Sequence, residues 1–285
     1  MTRETGVAAN LEASAAIEPA ALAESRLRNR DRMLTIASFA VMIGVWTLLT
    51  GVGPWPPLVH PAFLPSPWTV LNTFFRLASD GYQGYTLAQH FFISMWRFGA
   101  AFLFCIVVGI PIGLLMGMSS AVRAVLDPPI ETTRPIPKLA LLPLFIIWFG
   151  IGELSKVIVI VAALFPLISI SAMQAVRSIS TRKIYAAQSL GASKFMIFRR
   201  VLLPASLPGI FTGIRVSLGI GVTMLVGAEM VATSNGIAWM ALTAADFVQT
   251  DIVLVGVLIM AAVGYLLDAF FRLAERRLVH WAGRE

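Results

Sequence analysis

The stretch Tyr185-Ala-Ala-Gln-Ser-Leu-Gly-Ala-Ser-Lys-Phe-Met-Ile-Phe-Arg-Arg-Val-Leu-Leu-Pro204 is a basic, interrupted segment between two strongly apolar parts of the chain. Ser180 or Thr181 can cap a short helix that stops at Gly191, because serine and threonine favour helix starts and glycine favours helix ends. Ser193 can cap a second short helix, and the final proline of the stretch is expected to terminate it. The pattern predicts a helix-turn-helix element, here called the knuckle (residues 181–203), that does not span a membrane.

The knuckle is predicted to present small and apolar side chains to a partner. Ala187 and Gly191 are spaced at i,i+4, so they lie on one face of the first short helix. Phe195 and Phe198 follow as an apolar ridge. A shallow socket of small residues beside an apolar ridge is what a docking segment requires.

The composition indicates an integral membrane protein. The mean hydropathy is +0.81, and 58% of the residues are hydrophobic while only 13% are charged. Soluble domains carry about 25% charged residues. Apolar runs of about 20 residues are long enough to span a membrane as helices. The predicted spans are Met33–Val52, Phe92–Met118, Pro129–Gly150, Leu154–Val176, Pro208–Thr233 and Ile252–Leu273. The sequence therefore predicts an all-α, polytopic protein with about six transmembrane helices, the third interrupted by Pro135, Pro137 and Pro143.

The basic residues predict the orientation of the chain, because cytoplasmic loops are enriched in lysine and arginine. One side of the predicted spans carries three basic groups, namely Arg26, Arg28, Arg30 and Arg32; Arg177, Arg182, Lys183, Lys194, Arg199 and Arg200; and Arg272, Arg276 and Arg277. The other side carries Arg76 and Lys156. Both termini and the knuckle are therefore expected in the cytoplasm. The net charge of +7 follows from this bias and requires no nucleic-acid partner.

Several classes of chemistry lack the residues they need. The sequence contains no Gly-Lys dipeptide, so a P-loop for nucleotide phosphates is absent and any ATP must be bound elsewhere. His60, His90 and His280 do not have metal-ligand spacing. Cys105 is the single cysteine, which leaves no disulfide within one chain. No catalytic motif for an intramembrane enzyme is apparent.

Small residues recur every four positions in two of the predicted spans. They are Gly109, Gly113 and Gly117 in the second span, and Gly209, Gly213, Ser217 and Gly221 in the fifth. Such rows let helix backbones approach closely in lipid. Two alternatives are open: the rows pack within the chain, or part of the fifth-span row faces a second copy across a central pathway.

Ionisable residues within spans are costly and are candidates for function. Glu229 lies near the outer end of the fifth span and Arg215 near its inner end. Glu229 could orient a polar substrate group or a neighbouring helix, or serve a docking surface for an external protein. Arg97 and Asp268 are expected to reach the membrane interface as snorkelling anchors.

The outer side is predicted to hold an extended proline-rich segment, Gly53–Pro67, followed by an amphipathic stretch, Thr69–Ala78. Apolar residues recur at helical spacing in this second stretch. It could lie along the membrane interface or pack as a helix on the core.

With these residues in view, the chain resembles permease subunits of binding-protein-dependent ABC importers, in the nitrate, sulfonate and taurine branch. The family motif of Glu-Ala-Ala, Gly and Ile-x-Leu-Pro is matched at the same spacing by Ala186, Ala187, Gly191, Val201, Leu203 and Pro204. Tyr185 stands where the family usually has glutamate, which puts one polar contact in doubt. Further similar runs are Leu64-Pro-Ser-Pro, Arg134–Pro143, Trp148–Glu153 and Ala228–Met230.

The resemblance implies a type I ABC importer permease fold in the bacterial inner membrane. It implies a dimer of permeases, two cytoplasmic ATPases that bind ATP and Mg²⁺, and an external substrate-binding protein. The expected ATPase-coupling residues are Tyr185, Ala186, Ala187, Gly191, Ala192, Phe195, Phe198 and Pro204. The expected pathway residues are Gly213, Arg215, Ser217, Gly221, Glu229 and Met230. The implied substrate is a small anion, taurine or an alkanesulfonate, with nitrate or bicarbonate as the alternative.

The predicted domains are a cytoplasmic tail at 1–32, the first span and outer loop at 33–64, the permease core at 65–281 and a C-terminal tail at 282–285. Three rival functions stay open. A secondary transporter should show inverted repeats and ion ligands at the midplane, and an ion channel should show a filter or a charged ring; neither pattern is apparent. A membrane scaffold without transport would assemble without an ATPase.

Overall fold

The computed structural model describes residues 30–51, 56–231 and 233–281. Predictions for the tail before residue 30, for residues 52–55 at the end of the first predicted span and the start of the outer segment, and for the tail at 282–285 lie outside the described residues. The described chain divides into two compact units, one ending at Thr69 and the other beginning at Val70. Both units are helical.

The first unit contains α1 and the start of α2, and the second contains the remaining helices. In chain order, the α-helices are α1 (Arg30–Leu49), α2 (Pro67–Asp80), α3 (Leu87–Phe104), α4 (Ile110–Met118), α5 (Ser120–Thr133), α6 (Leu142–Phe149), α7 (Glu153–Arg177), α8 (Thr181–Ser189), α9 (Lys194–Ile197), α10 (Leu203–Glu229), α11 (Ile237–Asp246) and α12 (Thr250–Leu278). A π-helical turn, Cys105–Gly109, joins α3 to α4, and another, Phe198–Leu202, joins α9 to α10. A 3₁₀ turn, Lys138–Leu141, precedes α6.

Five long apolar helices confirm five of the six predicted spans. Among the described residues they are Arg30–Leu49, Leu87–Met118, Glu153–Arg177, Lys194–Glu229 and Thr250–Leu278. Each is long enough to cross a bilayer core of about 30 Å at 1.5 Å per residue. The chain is therefore a multi-pass helical membrane protein.

The predicted third span, Pro129–Gly150, is not one continuous helix. α5 ends at Thr133, the chain turns, and α6 begins only at Leu142. A residue that precedes proline is driven out of the helical region, and proline has no N–H for a helical hydrogen bond. Pro135 and Pro137 remove two N–H donors within three residues. Arg134, before Pro135, keeps helical backbone (φ −59°, ψ −48°), whereas Pro137 is extended (ψ 105°). This part of the chain is an interrupted helical segment.

The centre of the second unit is α7, which α4 and α10 approach closely through glycine. A Cβ atom at Gly113 would lie 2.7 Å from the Cβ of Ala172, and one at Gly117 would lie 2.6 Å from the Cβ of Val176. On α10, a side chain at Gly213 would collide with Ser171 of α7. Both rows of small residues therefore pack within the chain.

The fifth-span row lies inside this packing. Gly213, Ser217 and Gly221 are buried, and the Ser217 hydroxyl donates a hydrogen bond of 2.8 Å to the Gly213 carbonyl. A Cβ at Gly221 would meet Phe98 at 2.7 Å. These contacts favour the intrachain alternative, and a pathway role for these residues stays a prediction.

The amphipathic stretch after the proline-rich segment forms α2, which packs through one face. Val70, Thr73 and Leu77 are buried, and the Thr73 hydroxyl donates a 2.6 Å hydrogen bond to the Asp251 carboxylate of α12. Phe75 on the opposite face is 60% exposed. Of the two alternatives, the packing helix is observed, with an apolar outer face.

We expect Gly113→Ala to lower the thermal stability of the purified protein. The added methyl group would separate α4 from α7, and overpacking typically costs about 1–3 kcal/mol. Gly99→Ala is the matched control, because a Cβ at Gly99 meets nothing within 4 Å, and alanine favours a helix over glycine by about 1 kcal/mol. The midpoint temperature of unfolding in detergent should be lower for Gly113→Ala than for the wild type, and equal or higher for Gly99→Ala. Equal loss in both variants would contradict the packing.

Candidate functional site

The knuckle has the predicted turn. α8 ends at Ser189, and Gly191 adopts a left-handed backbone (φ +76°), which glycine tolerates without steric cost. The Ser193 hydroxyl accepts a hydrogen bond of 3.3 Å from the Met196 N–H, so the predicted second cap is confirmed. Ser180 occupies the N-cap position of α8, but its side chain makes no capping hydrogen bond.

Pro204 does not end the second knuckle helix, which corrects the sequence prediction. The chain stays helical from Lys194 to Glu229, over 36 residues. Pro204 lies in the first turn of α10, within this continuous helix. The preceding π-turn, Phe198–Leu202, changes the hydrogen-bond register just before the proline. The second knuckle helix is therefore the start of the fifth span.

The knuckle exposes apolar side chains. Leu190 is 88% exposed, Phe195 69% and Tyr185 65%. Phe198 is only half-buried and offers less surface than the predicted ridge. The small coupling residues divide by exposure, with Ala186 and Gly191 exposed, and Ala187, Ala192 and Pro204 half-buried. An exposed apolar patch beside basic residues is typical of a protein interaction site.

A second cluster lies at the opposite end of α10, around a buried ion pair. Arg97 of α3 and Glu229 of α10 have no exposed side-chain surface, and Nη1 of Arg97 lies 2.9 Å from Oε1 of Glu229. Nε and Nη2 of Arg97 also donate to the two carboxylate oxygens of Glu153, at 2.5 and 2.7 Å. Asn235 accepts from Nη2 through its side-chain oxygen at 2.6 Å. We call Ser94, Arg97, Glu153, Glu229 and Asn235 the arginine cluster.

Glu229 receives two further hydrogen bonds. The Ser94 hydroxyl donates to Oε1 at 2.7 Å, and the Ala238 N–H at the start of α11 donates to Oε2 at 3.0 Å. Gly236 (φ +117°) lies against this carboxylate, and a Cβ there would collide with it. The cluster thus joins α3, α7, α10 and α11, and it orients neighbouring helices, which is one of the roles predicted for Glu229.

The expected snorkelling of Arg97 is wrong. Its guanidinium has three carboxylate or amide partners from other elements and is fully buried, so it has no reason to extend to the interface. A sequence signal for this existed: His90, Ser94 and Arg97 recur at helical spacing and form one polar face of α3. His90 lies on that face and its Nδ1 accepts the Gly236 N–H at 3.0 Å.

Asp268 forms ion pairs within and between helices, and its anchoring at the membrane interface stays a prediction. Its carboxylate accepts a hydrogen bond of 2.9 Å from Nε of Arg215 on α10, and it pairs with Arg272 one turn further along α12. Glu275 accepts a second bond from Arg215, at 3.3 Å. Arg215 therefore joins α10 to α12. Met230, the remaining predicted pathway residue, is 55% exposed.

The described residues contain no group of three or more His, Cys, Asp or Glu side chains that could hold a metal ion. Arg97 and Arg215 pair with carboxylates on other helices. The two features with a functional geometry are the exposed knuckle at one end of α10 and the arginine cluster at the other.

The family model for the binding-protein-dependent transport system inner membrane component matches residues 109–280. The chain belongs to this family. It is a multi-pass inner-membrane permease of an ABC importer, a transport subunit, and the matched range includes the knuckle, α7, α10 and α12.

Two relatives cover almost the whole chain. The taurine transport system permease protein TauC of Escherichia coli K12 is 41% identical over 256 residues, which is 90% of this chain and 92% of TauC. The second relative is named as a putative aliphatic sulfonates transport permease protein, SsuC of Bacillus subtilis 168. It is 38% identical over 242 residues, which is 85% of this chain and 85% of SsuC. An inward-facing structure of the MetNI methionine ABC transporter has a TM-score of 0.54 at 22% identity, covering 68% of this chain and 94% of that one. The last similarity supports the type I permease fold.

We expect Glu229→Ala to destabilise the protein strongly. Removing Glu229 leaves the buried Arg97 with only the half-exposed Glu153 as an ionic partner, and breaking a buried pair costs about 3–5 kcal/mol. Thermal unfolding in detergent measures the loss. Replacing both partners, as in Arg97→Met with Glu229→Met, should recover part of the stability because neither charge of this buried pair is left.

The matched control is the pair of Arg76 and Asp251, separated by 3.2 Å with the arginine side chain 56% exposed. Arg76→Met should cost less than about 1 kcal/mol, as exposed pairs do. A Glu229→Ala variant as stable as Arg76→Met would show that the arginine cluster does not hold the helices together.

Proposed function

We propose that this permease imports taurine or an alkanesulfonate. The observation that carries the proposal is the 41% identity to a taurine permease along 90% of the chain. The similarity to a permease named for aliphatic sulfonates points to the same substrate class. Nitrate or bicarbonate import is the alternative within the branch.

The working importer, in this proposal, contains two permeases, two ATPases on the cytoplasmic side and an external substrate-binding protein. ATP and Mg²⁺ are bound by the ATPases, since this sequence has no P-loop. Both termini and the knuckle face the cytoplasm, in agreement with the distribution of basic residues. The exposed Leu190, Phe195 and Tyr185 form the surface that docks on the ATPase. A fully covered phenylalanine contributes about 2 kcal/mol to such docking.

The long helix from Lys194 to Glu229 transmits the motion of the ATPases. Closure of the two ATPases on ATP brings the knuckles of the two permeases together. Because the second knuckle helix continues into α10, a displacement of the knuckle displaces α10 directly. The arginine cluster binds the far end of α10 to α3, α7 and α11, so these helices move with it and switch access to the pathway.

Uptake by reconstituted vesicles tests the substrate. Vesicles that contain the full assembly, with ATP inside and the binding protein outside, should accumulate labelled taurine faster than nitrate or bicarbonate. Omitting ATP should abolish uptake. Uptake driven by a sodium or proton gradient without any ATPase would support a secondary transporter and contradict the proposal.

Gly191→Trp should uncouple the importer while leaving insertion into the membrane intact. The indole would lift the knuckle from the ATPase surface. Gly191→Ala is the matched control, because it imposes the same left-handed backbone strain (φ +76°) without the bulk, and a Cβ there meets nothing within 4 Å. Pulldown of the ATPase and uptake should fall far more for tryptophan than for alanine. Normal pulldown and normal uptake in Gly191→Trp would refute the docking role.

A further inference from the structure

The broken third span borders a cavity with charged walls. The cavity has a volume of about 710 Å³, and its lining includes Glu131 and Arg134 from the end of α5 and the turn, Lys138 from the 3₁₀ turn, and Pro166 of α7. Met224 of α10 contributes to the far wall. The site lies apart from both the knuckle and the arginine cluster.

The cavity lies beside the middle of α7, one of the helices long enough to span a membrane. Pro166 and Leu167, which line it, are close to the middle of the 25-residue helix α7. At 1.5 Å per residue, about 15–20 Å of helix extends on either side. Irregular backbone at such depth is tolerated only where it is buried in protein or borders water. The break in the third span borders this cavity, and water in it would satisfy the exposed backbone groups of the break.

The break also holds the ammonium group of Lys138 in place. Pro137 has no N–H to donate to the carbonyl of Thr133, the acceptor one helical turn earlier. The Lys138 Nζ donates to that carbonyl and to the carbonyl of Ile136, the latter at 3.1 Å. An ammonium has three donors, so one is left for another acceptor. No described carboxylate lies within ion-pair distance of Lys138.

The charges at the cavity favour an anion. Arg134 pairs with Glu131 at 3.0 Å, and the two side chains are 44% and 46% exposed. Lys138 and Arg134 together with Glu131 leave a formal excess of one positive charge at the cavity. Charged side chains at membrane depth are expensive and usually mark the path of a substrate or ion.

An apolar cavity of about 560 Å³ adjoins the charged one, and the two share Ile136, Lys138 and Pro166. Its other walls include Phe104, Val108 and Phe145. A substrate with its anionic group bound at Lys138 would thus have its hydrocarbon part against an apolar wall. This combination fits an organic sulfonate better than nitrate or bicarbonate, which have no hydrocarbon part.

We propose that Lys138, supported by Arg134, binds the sulfonate group of the substrate as it crosses the membrane. The inference rests on the proposed function and adds the residues of this chain that contact the substrate. Binding is weak, because Lys138 supplies one donor and Arg134 remains paired with Glu131. A weak site suits transport, since substrate must leave it toward the cytoplasm.

Uptake kinetics of the complete reconstituted importer test the site. Lys138→Gln should reduce taurine and ethanesulfonate uptake about tenfold or more, the loss expected for one hydrogen bond to a charged group. Lys138→Arg should retain most of the uptake. ATP hydrolysis stimulated by the binding protein should stay close to that of the wild type in both variants, because the knuckle is unchanged.

Arg277→Gln is the matched control. It removes the same charge from an exposed position near the end of α12, and its uptake should equal that of the wild type. If the wild type imports taurine and Lys138→Gln imports it equally well, the inference is wrong while the proposed function stands. If the wild type imports no organic sulfonate with ATP, the proposed function fails and takes the inference with it.

Thiol labelling provides a second readout, independent of transport. In a Cys105→Ala background, Lys138→Cys should react with 2-sulfonatoethyl methanethiosulfonate, an anionic reagent that itself carries a sulfonate. Leu164→Cys is the buried reference, since Leu164 has no exposed surface, and it should not react. Failure of Lys138→Cys to react in both nucleotide-free and ATP-bound importer would overturn the water-accessible site.

Discussion

The buried ion pair between Arg97 and Glu229 determines how the helices around the arginine cluster meet. A guanidinium away from water is stable only if its donors are paired, because burial of an unpaired charge costs far more than a single contact returns. The donors of Arg97 are met by Glu229, Glu153 and Asn235. Those partners come from different parts of the chain, so satisfying one side chain fixes where α3, α7, α10 and α11 meet.

Close packing against α7 supplies the rest of the framework. In lipid, apolar surface alone does not drive helices together, so backbone approach through small residues and pairing of polar groups must do so. Gly113 and Gly117 bring α4 against one side of α7, and Gly213 brings α10 against another. α10 then continues without interruption into the knuckle. A single helix therefore joins the exposed knuckle to the arginine cluster.

Much of this architecture could be predicted from the sequence, because lipid imposes long apolar helices and the knuckle has local capping signals. Ser193 and Gly191 act as their residue types predict. The break in the third span and the effect of Pro204 could not be predicted in this way. Prolines interrupt the chain between α5 and α6, whereas a π-turn accommodates Pro204 within a continuous helix. The partners of Arg97 were also hidden, because Glu153 and Glu229 lie 56 and 132 residues away.

The central claim is that the knuckle and α10 move together when ATP closes the ATPases. Spin labels at Leu190 provide the sharpest test, because this knuckle side chain is 88% exposed. In assembled importers with Leu190→Cys in a Cys105→Ala background, pulsed dipolar spectroscopy reports the distance between the two knuckles. The account predicts a shorter distance with ATP than without nucleotide. Identical distance distributions in the two states, or no dipolar coupling between permeases, would contradict it.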